Sequence, residues 1–378
     1  MKVLGISSCF PREKRPDFGV FAYELYFEMA RQGMEMSVIA PYSFLRKLKE
    51  YFLFSSGNCV NYQKEYPFKV IRPSLFNVPL SVFGNKSIMK YNLSASCKTI
   101  KLASKKTFPP DWISAYFFDS AIAALSAYSN VPVYVEIGES DFLFYEQFLT
   151  KEEIKINLKR CAGIIAVSKG NFKLLKDRYG ISENLYLLEN GVNTERFVPI
   201  DKNFARKQLG LPADDFIIIF VGGFIERKGP LRVLRAVEKV PGVKAIFIGR
   251  GHQMPSGDRV LLARPMSNEN LPLVLSACDA FVLPSLAEGL SIAILEAAAC
   301  GLPLIISDKD FNRAFIDDEG ALFVDPSCVE DIARAISILN GDKDLRNSLS
   351  QKSRKIAESH SLKERVKKLL ELVENNGS

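Results

Sequence analysis

A chain of 378 residues is long enough for two domains, and its 47% hydrophobic and 25% charged residues are those of a globular protein. No run of about 18 apolar residues marks a membrane span, and "MKVLGISSCF" passes straight into the charged "PREKRPD", so neither a span nor a signal peptide is expected. Seven scattered cysteines without paired spacing read as thiols of a reducing, cytoplasmic compartment, and two distant histidines, His252 and His360, argue against a metal centre or a Ser-His-Asp triad.

In chain order, "KVLGISS" reads as a buried strand and Val20 to Arg31 as a helix, with "MSVIA" following as a strand. The stretch "SFLRKLKEYFLF" (43–54) sets Phe44, Leu45, Leu48, Tyr51 and Phe52 on one helical face and Arg46, Lys47 and Lys49 on its polar side. Within residues 1–110, 17 Lys and Arg oppose 7 Asp and Glu, so an anionic partner such as a membrane surface is expected there. No recognised nucleic-acid motif accompanies that charge, and nucleic acid is not expected as a partner. "FKVIR", "DWISAYF", "VPVYVEI" and "GIIAVS" continue as strands, with helices over 86–103 and 169–179. Near position 200 the grammar restarts with "FIIIFVGG", a helix from Pro230, "VKAIFIG", "RVLLAR", "AFVLPS" and "PLIIS". Apolar strands alternating with helices imply parallel sheets covered on both faces. The fold class is therefore α/β, with two Rossmann-like domains over 1–195 and 196–359. The polar stretch from Asn190 to Asp215 joins them, and the cleft that the domains face is the expected ligand site. From Val329 the chain turns helical and charged, and a last helix over about 360–378 is placed to return to the first domain.

The stretch "LPSLAEGLSIAILEAAACGLPLIIS" (283–307) carries two glutamates, Glu288 and Glu296, in otherwise uncharged surroundings. Glu288 falls in a strand-to-helix loop at the carboxyl end of a strand, where open α/β sheets bind ligands. Glu296 falls in the following helix, which Gly301 and Pro303 stop, and helical side chains lean back toward the N-terminus. Free N–H groups at that helix start favour a phosphate, and carboxylates suit vicinal hydroxyls. A sugar nucleotide offers both. "GRGHQM" lacks the third glycine of a dinucleotide fingerprint, and "GGFIERKG" lacks the P-loop order.

Four motifs spread over nearly the whole chain, "CFPREKRPDFGVFAYELYFEMARQG", "ENGVNTERFVP", "FVGGFIERKG" and "EGLSIAILEAAACGLPLI", resemble the retaining GT-B glycosyltransferases, a family that includes bacterial polysaccharide and teichuronic-acid transferases. The resemblance implies that Glu296 holds the nucleotide ribose, that Glu288 contacts the donor sugar and that Lys228 binds the diphosphate. The backbone of Gly289, Leu290 and Ser291 would add N–H donors, with Gly222, Gly223 and Gly249 lining the donor site. Gly19 would let the N-terminal loop approach donor or acceptor. Many relatives have arginine where Gly223 stands, and Arg227 is placed to substitute. Many also have a histidine in the loop that here reads Gly138, Glu139, Ser140 and Asp141, where Glu139 could receive a sugar hydroxyl instead. The function implied is metal-independent, cofactor-independent transfer of a sugar from a nucleotide diphosphate to a glycan or lipid-linked acceptor of a surface polysaccharide, at the inner face of the membrane. The alternative is a degenerate member that binds a glycan or partner without catalysis.

Overall fold

The computed structural model describes residues 1–376 other than 13, 14, 17, 46–65, 79–85 and 140. The proposed amphipathic stretch 43–54 therefore lies outside the described residues from Arg46 onward. Two compact units divide the chain: Met1–Glu189 with Val366–Ser378, and Asn190–Arg365.

In the first unit the strands are β1 (Lys2–Ser7), β2 (Glu35–Ile39), β3 (Tyr42–Ser43), β4 (Lys69–Ile71), β5 (Ser74–Leu75), β6 (Trp112–Tyr116), β7 (Val133–Ile137), β8 (Gly163–Ala166) and β9 (Leu185–Leu187). Seven of them form one sheet in the order β4-β2-β1-β6-β7-β8-β9, and every pairing is parallel. The strands were legible because both faces are covered: β6 and β7 are buried at every position, so their sequences are continuous apolar runs rather than alternating ones. Order reverses between β1 and β6, and at such a point the loops leaving the carboxyl ends part to leave a crevice.

The second unit repeats the plan with β10 (Phe216–Val221), β11 (Val243–Ile248), β12 (Val260–Arg264), β13 (Ala280–Leu283), β14 (Leu304–Ser307) and β15 (Leu322–Val324). Their order is β12-β11-β10-β13-β14-β15, again parallel, and the reversal falls between β10 and β13. Helix Ile292–Ala299 bridges β13 and β14, as its sequence predicts, with Ala297, Ala298 and Ala299 fully buried and Gly301 stopping it at φ 77°.

The stretch 190–215 is not a bare join. It belongs to the second unit and holds a helix, Lys202–Leu209, whose first turn is capped by Asp201 through a 2.8 Å bond from the Phe204 N–H. Buried Arg206 donates to the Ala277 carbonyl at 2.9 Å and pairs with Asp279 at 2.7 Å, tying that helix under the sheet. Upstream of that helix, Val192 exchanges backbone hydrogen bonds with His360 and Leu362, both at 2.9 Å. The last helix, Leu362–Asn376, has its residues from Val366 in the first unit, where Asn376 bonds the Tyr186 hydroxyl.

Among the described residues no helix is long and apolar enough to cross a membrane, and no cysteine pair forms a disulfide.

Candidate functional site

The loops after β10 and β13 meet at the reversal point of the second sheet. The first carries Arg227 and Lys228, the second Glu288 to Ser291. They are laced together by main chain and side chain: the Leu286 N–H donates to the Arg227 carbonyl at 2.8 Å, and the Arg227 guanidinium donates to the Ala287 carbonyl. Glu288 is the centre of the arrangement. Its carboxylate pairs with the Lys228 ammonium on one oxygen and lies 3.4 Å from Arg227 on the other. Lys228 and Glu288 are 15% and 8% exposed in their side chains, so neither charge is stable there without a partner. Burial pulls the Lys228 ammonium pKa down, against the opposing pull of Glu288.

Chemically this is a carboxylate held between two cations at a helix start. Helix Ile292–Ala299 begins at Ser291 without a side-chain cap, so the macrodipole's positive end is not covered by a carboxylate or hydroxyl of its own. Asn190 fixes the loop by donating to the Leu290 carbonyl at 3.2 Å. Glu296 sits little more than one turn into the same helix and is buried.

The three glycines expected on the donor side divide by role. A Cβ on Gly249 would lie 1.8 Å from the Gly222 carbonyl oxygen, so Gly249 exists to let the loops after β10 and β11 close on each other. Gly222 and Gly223 have only ordinary contacts around a Cβ. At Gly223 the nearest atoms belong to Ile225 at 3.8 Å, which leaves room for a side chain.

In the first unit the geometry gives local contacts for several of the expected residues. Gly19 has φ 71°, and a Cβ there would sit 2.3 Å from the Cys9 carbonyl. The close approach it permits in this structure is to its own chain. Glu139 spends one carboxylate oxygen on the helix Phe118–Ala127, accepting the Phe118 N–H at 2.7 Å and the Tyr145 hydroxyl at 3.0 Å. Its other oxygen is buried with no hydrogen-bond partner. Burial raises this carboxyl's pKa to about 7. Gly138 lies 3.4 Å, by its would-be Cβ, from the Tyr116 and Phe117 rings. Asp141 is exposed and precedes the short turn Phe142–Gln147 without capping it.

The sequence reading missed two features at the first sheet's reversal point. Phe117, between β6 and the next helix, has φ 76° and ψ 155°, a region that side chains other than glycine rarely adopt. Asp119, two residues on in the first turn of that helix, is half-buried and accepts the Ser120 N–H at 2.8 Å, and desolvation raises its pKa. The signal available was "FFDSAIAALSA", a strand end followed by Asp-Ser and an alanine-rich helix.

Among the described residues no group of three or more His, Cys, Asp or Glu is placed to hold a metal ion.

Comparison with known proteins agrees with both halves. Residues 18–196 match the model of the family described as Glycosyltransferase Family 4, and residues 201–356 that of Glycosyl transferases group 1. TuaC of Bacillus subtilis (strain 168), named for glycosyl transfer in teichuronic acid biosynthesis, is 27% identical over 353 residues, 89% of this chain and 88% of its own. A UDP-Gal:alpha-D-GlcNAc-diphosphoundecaprenol alpha-1,3-galactosyltransferase of Escherichia coli is 30% identical over 52% of this chain and 56% of its own. In fold, the chain is similar to sucrose-phosphate synthase of Thermosynechococcus elongatus, with a TM-score of 0.79 at 18% identity over 99% of both chains. It is also similar to HepE of Anabaena, solved with UDP and glucose, at a TM-score of 0.71 and 16% identity over 99% of both chains. With a glycosyltransferase model matched to each half and a parallel α/β sheet in each unit, the chain belongs to the group 1 glycosyltransferases of the GT-B family.

Proposed function

We propose that the chain moves a sugar from a nucleoside diphosphate sugar to a hydroxyl of a glycan or lipid-linked acceptor, keeping the anomeric configuration. The observation that carries this reading is the Arg227–Glu288–Lys228 cluster at the β10/β13 reversal point, beside an uncapped helix start. A diphosphate entering there competes with Glu288 for both cations. Lys228 and Arg227 turn to the phosphates, and Glu288, released, accepts hydroxyls of the donor sugar. Buried Glu296 would take the ribose hydroxyls from the same helix.

Catalysis in this scheme is stabilisation of a departing charge. The bond from the sugar's anomeric carbon to the diphosphate oxygen breaks, and the electron pair leaves with the phosphate. The acceptor oxygen forms the new bond on the same face, and its proton passes to the leaving phosphate. Lys228, Arg227 and the backbone N–H groups of Gly289 to Ser291 hold the growing negative charge. Surface-polysaccharide synthesis is supported by the names of the Bacillus and Escherichia relatives, and the latter makes UDP sugars the first donors to test. The basic balance of residues 1–110 supports work at an anionic membrane surface.

The test is turnover of UDP, GDP and ADP sugars chosen by thermal shift with the free diphosphates. Lys228→Ala and Glu296→Ala should each lower the rate at least ~100-fold, the size of losing one preorganised transition-state contact. Near-normal rates in both variants reject the assignment, and binding without release of the diphosphate from any donor points to a protein that only binds.

A further inference from the structure

Helix Pro230–Glu238 follows the loop after β10, and its third residue, Arg232, is only 8% exposed. Both features of that placement cost stability. A guanidinium taken out of water needs partners for its donors, and a cation in a first turn faces the positive end of the helix macrodipole. Arg235, exposed in the last turn of the same helix, carries neither penalty.

The bonds that Arg232 makes give the placement its reason. One terminal nitrogen donates to the Glu226 carbonyl at 2.9 Å and pairs with the Glu226 carboxylate, and the other donates to the Pro284 carbonyl at 3.2 Å. Glu226 lies two residues before Lys228 in the loop after β10, and Pro284 four residues before Glu288 in the loop after β13. The second carboxylate oxygen of Glu226 accepts the Gln253 amide at 2.7 Å. The Gln253 backbone N–H donates to the Phe224 carbonyl at 3.0 Å, which brings in the loop after β11. Strands β11, β10 and β13 are neighbours in the sheet, so one buried side chain, directly or through Glu226, ties together the loops at their carboxyl ends. The guanidinium also lies against the turn that carries Lys228. A Cβ on Gly229, where φ is 80°, would sit 2.5 Å from it. Lys228 and Gly229 close that turn by donating to the Ile225 carbonyl at 3.1 and 3.2 Å, and the Glu226 carbonyl held by Arg232 lies within it.

We propose that Arg232 is a positioning residue for the transfer: held on the carbonyls of two loops, it fixes the backbone of Lys228 relative to that of Glu288, so that Lys228 reaches the diphosphate from a fixed turn. A guanidinium suits this task because its planar fork spans two carbonyls, whereas a lysine in its place carries the charge without the span. The inference rests on the donor reading above and adds the residue that sets the spacing of its charged groups.

The experiment is calorimetric titration of the full chain with whichever of UDP, GDP and ADP gives the largest thermal shift, and with its monophosphate, which lacks the phosphate nearest the sugar. Arg232→Met should weaken the diphosphate at least ~10-fold, the worth of one misplaced charge-assisted bond, and leave the monophosphate within about twofold. Lys228→Ala should do the same. Adding Arg232→Met to Lys228→Ala should then cost less than about twofold more, since a residue acting through Lys228 has nothing left to position. A merely structural arginine would weaken both nucleotides, or add its full effect in the double variant, and either result overturns the proposal. Arg232→Lys should behave as Arg232→Met does, and wild-type affinity in Arg232→Lys would show that charge alone is at work and overturn it as well. Should Arg232→Met fail to fold by circular dichroism, Glu226→Ala breaks the link from an exposed side chain and should show the same loss confined to the diphosphate. Wild-type diphosphate affinity in Lys228→Ala rejects the donor reading and this inference with it. A loss in Lys228→Ala that neither Arg232→Met nor Glu226→Ala reproduces leaves that reading standing and overturns this one alone.

Discussion

At the scale of single residues, two glycines of the donor loops have opposite requirements. Gly249 faces a carbonyl oxygen that any Cβ would strike at 1.8 Å, so Gly249→Ala forces the loops after β10 and β11 apart. The bonds that close them, including Gly222 N–H to the Ile248 carbonyl at 2.9 Å and Phe224 N–H to the Arg250 carbonyl at 2.8 Å, would stretch. Gly249→Ala should therefore cost roughly 1–3 kcal/mol, as backbone-displacing overpacking does, readable as a shift in the urea midpoint. Gly223 has open space instead, and the resemblance to arginine-bearing relatives suggests what fills it. Gly223→Arg should fold normally and tighten UDP at least tenfold, the worth of one charge-assisted bond of roughly 1.5–3 kcal/mol. Unchanged UDP affinity in that variant would mean that position 223 does not face the phosphates. A motif reading sees two glycines alike here. Only the distances separate them.

At the scale of elements, what was legible depended on burial. Strands covered on both faces announce themselves as apolar runs, and the loops after β10 and β13 were found because glycine, proline and charge punctuate such runs. Helix Lys202–Leu209 was hidden because its composition is polar and its buried residues are only Ala205 and Arg206, too few to show apolar periodicity. Phe118–Ala127 was hidden for a different reason. Its start is stabilised from far away, by Glu139, twenty-one residues on, and the local signal "FFDSAIAALSA" shows nothing of that partner. This long-range cap makes a pH prediction. The Glu139 carboxyl has its pKa raised to about 7 by burial, above its ordinary 4.5. A raised acid pKa in the fold gives stability that is complete below pH 4.5 and is lost as pH rises through about 7. The wild type should lose stability on the order of 3 kcal/mol across that window from this group, since each pKa unit is worth about 1.4 kcal/mol. Glu139→Gln keeps an acceptor for Phe118 and Tyr145 but cannot ionise. Subtracting its urea-denaturation profile from that of the wild type between pH 4.5 and 8 should leave this slope, and a flat difference would show that Glu139 does not titrate there.

At the scale of the whole molecule, the alternation of strands and helices announced two sheets, but the division of the chain between them is set by contacts that sequence spacing does not display. A cavity in the first unit shows why: Ser8, Asn77, Leu93, Asp119 and Phe144 line it and come from five separate segments, and no window of sequence holds more than one of them. The last helix makes the same point and can be tested. Leu362 belongs to the second unit, while Val366, Leu369, Leu370 and Val373 are buried and are counted with the first, where Tyr186 bonds Asn376. Burying one such side chain is worth roughly 1.5–3 kcal/mol, so these four supply an appreciable part of a marginal domain stability. Ending the chain after Arg365 removes them and exposes the apolar surface that they cover. Amide exchange should then rise by orders of magnitude in β9, whose Tyr186 the last helix holds, because the free energy of opening falls by several kcal/mol. Exchange in β10, β13 and β14 should stay within a few-fold of the full chain, since the core of the second unit is formed from residues between 192 and 357. Equal loss of protection in both units would show that the terminal helix stabilises the chain as one cooperative body. Protection unchanged in β9 would show that its apolar face contributes nothing to the first unit.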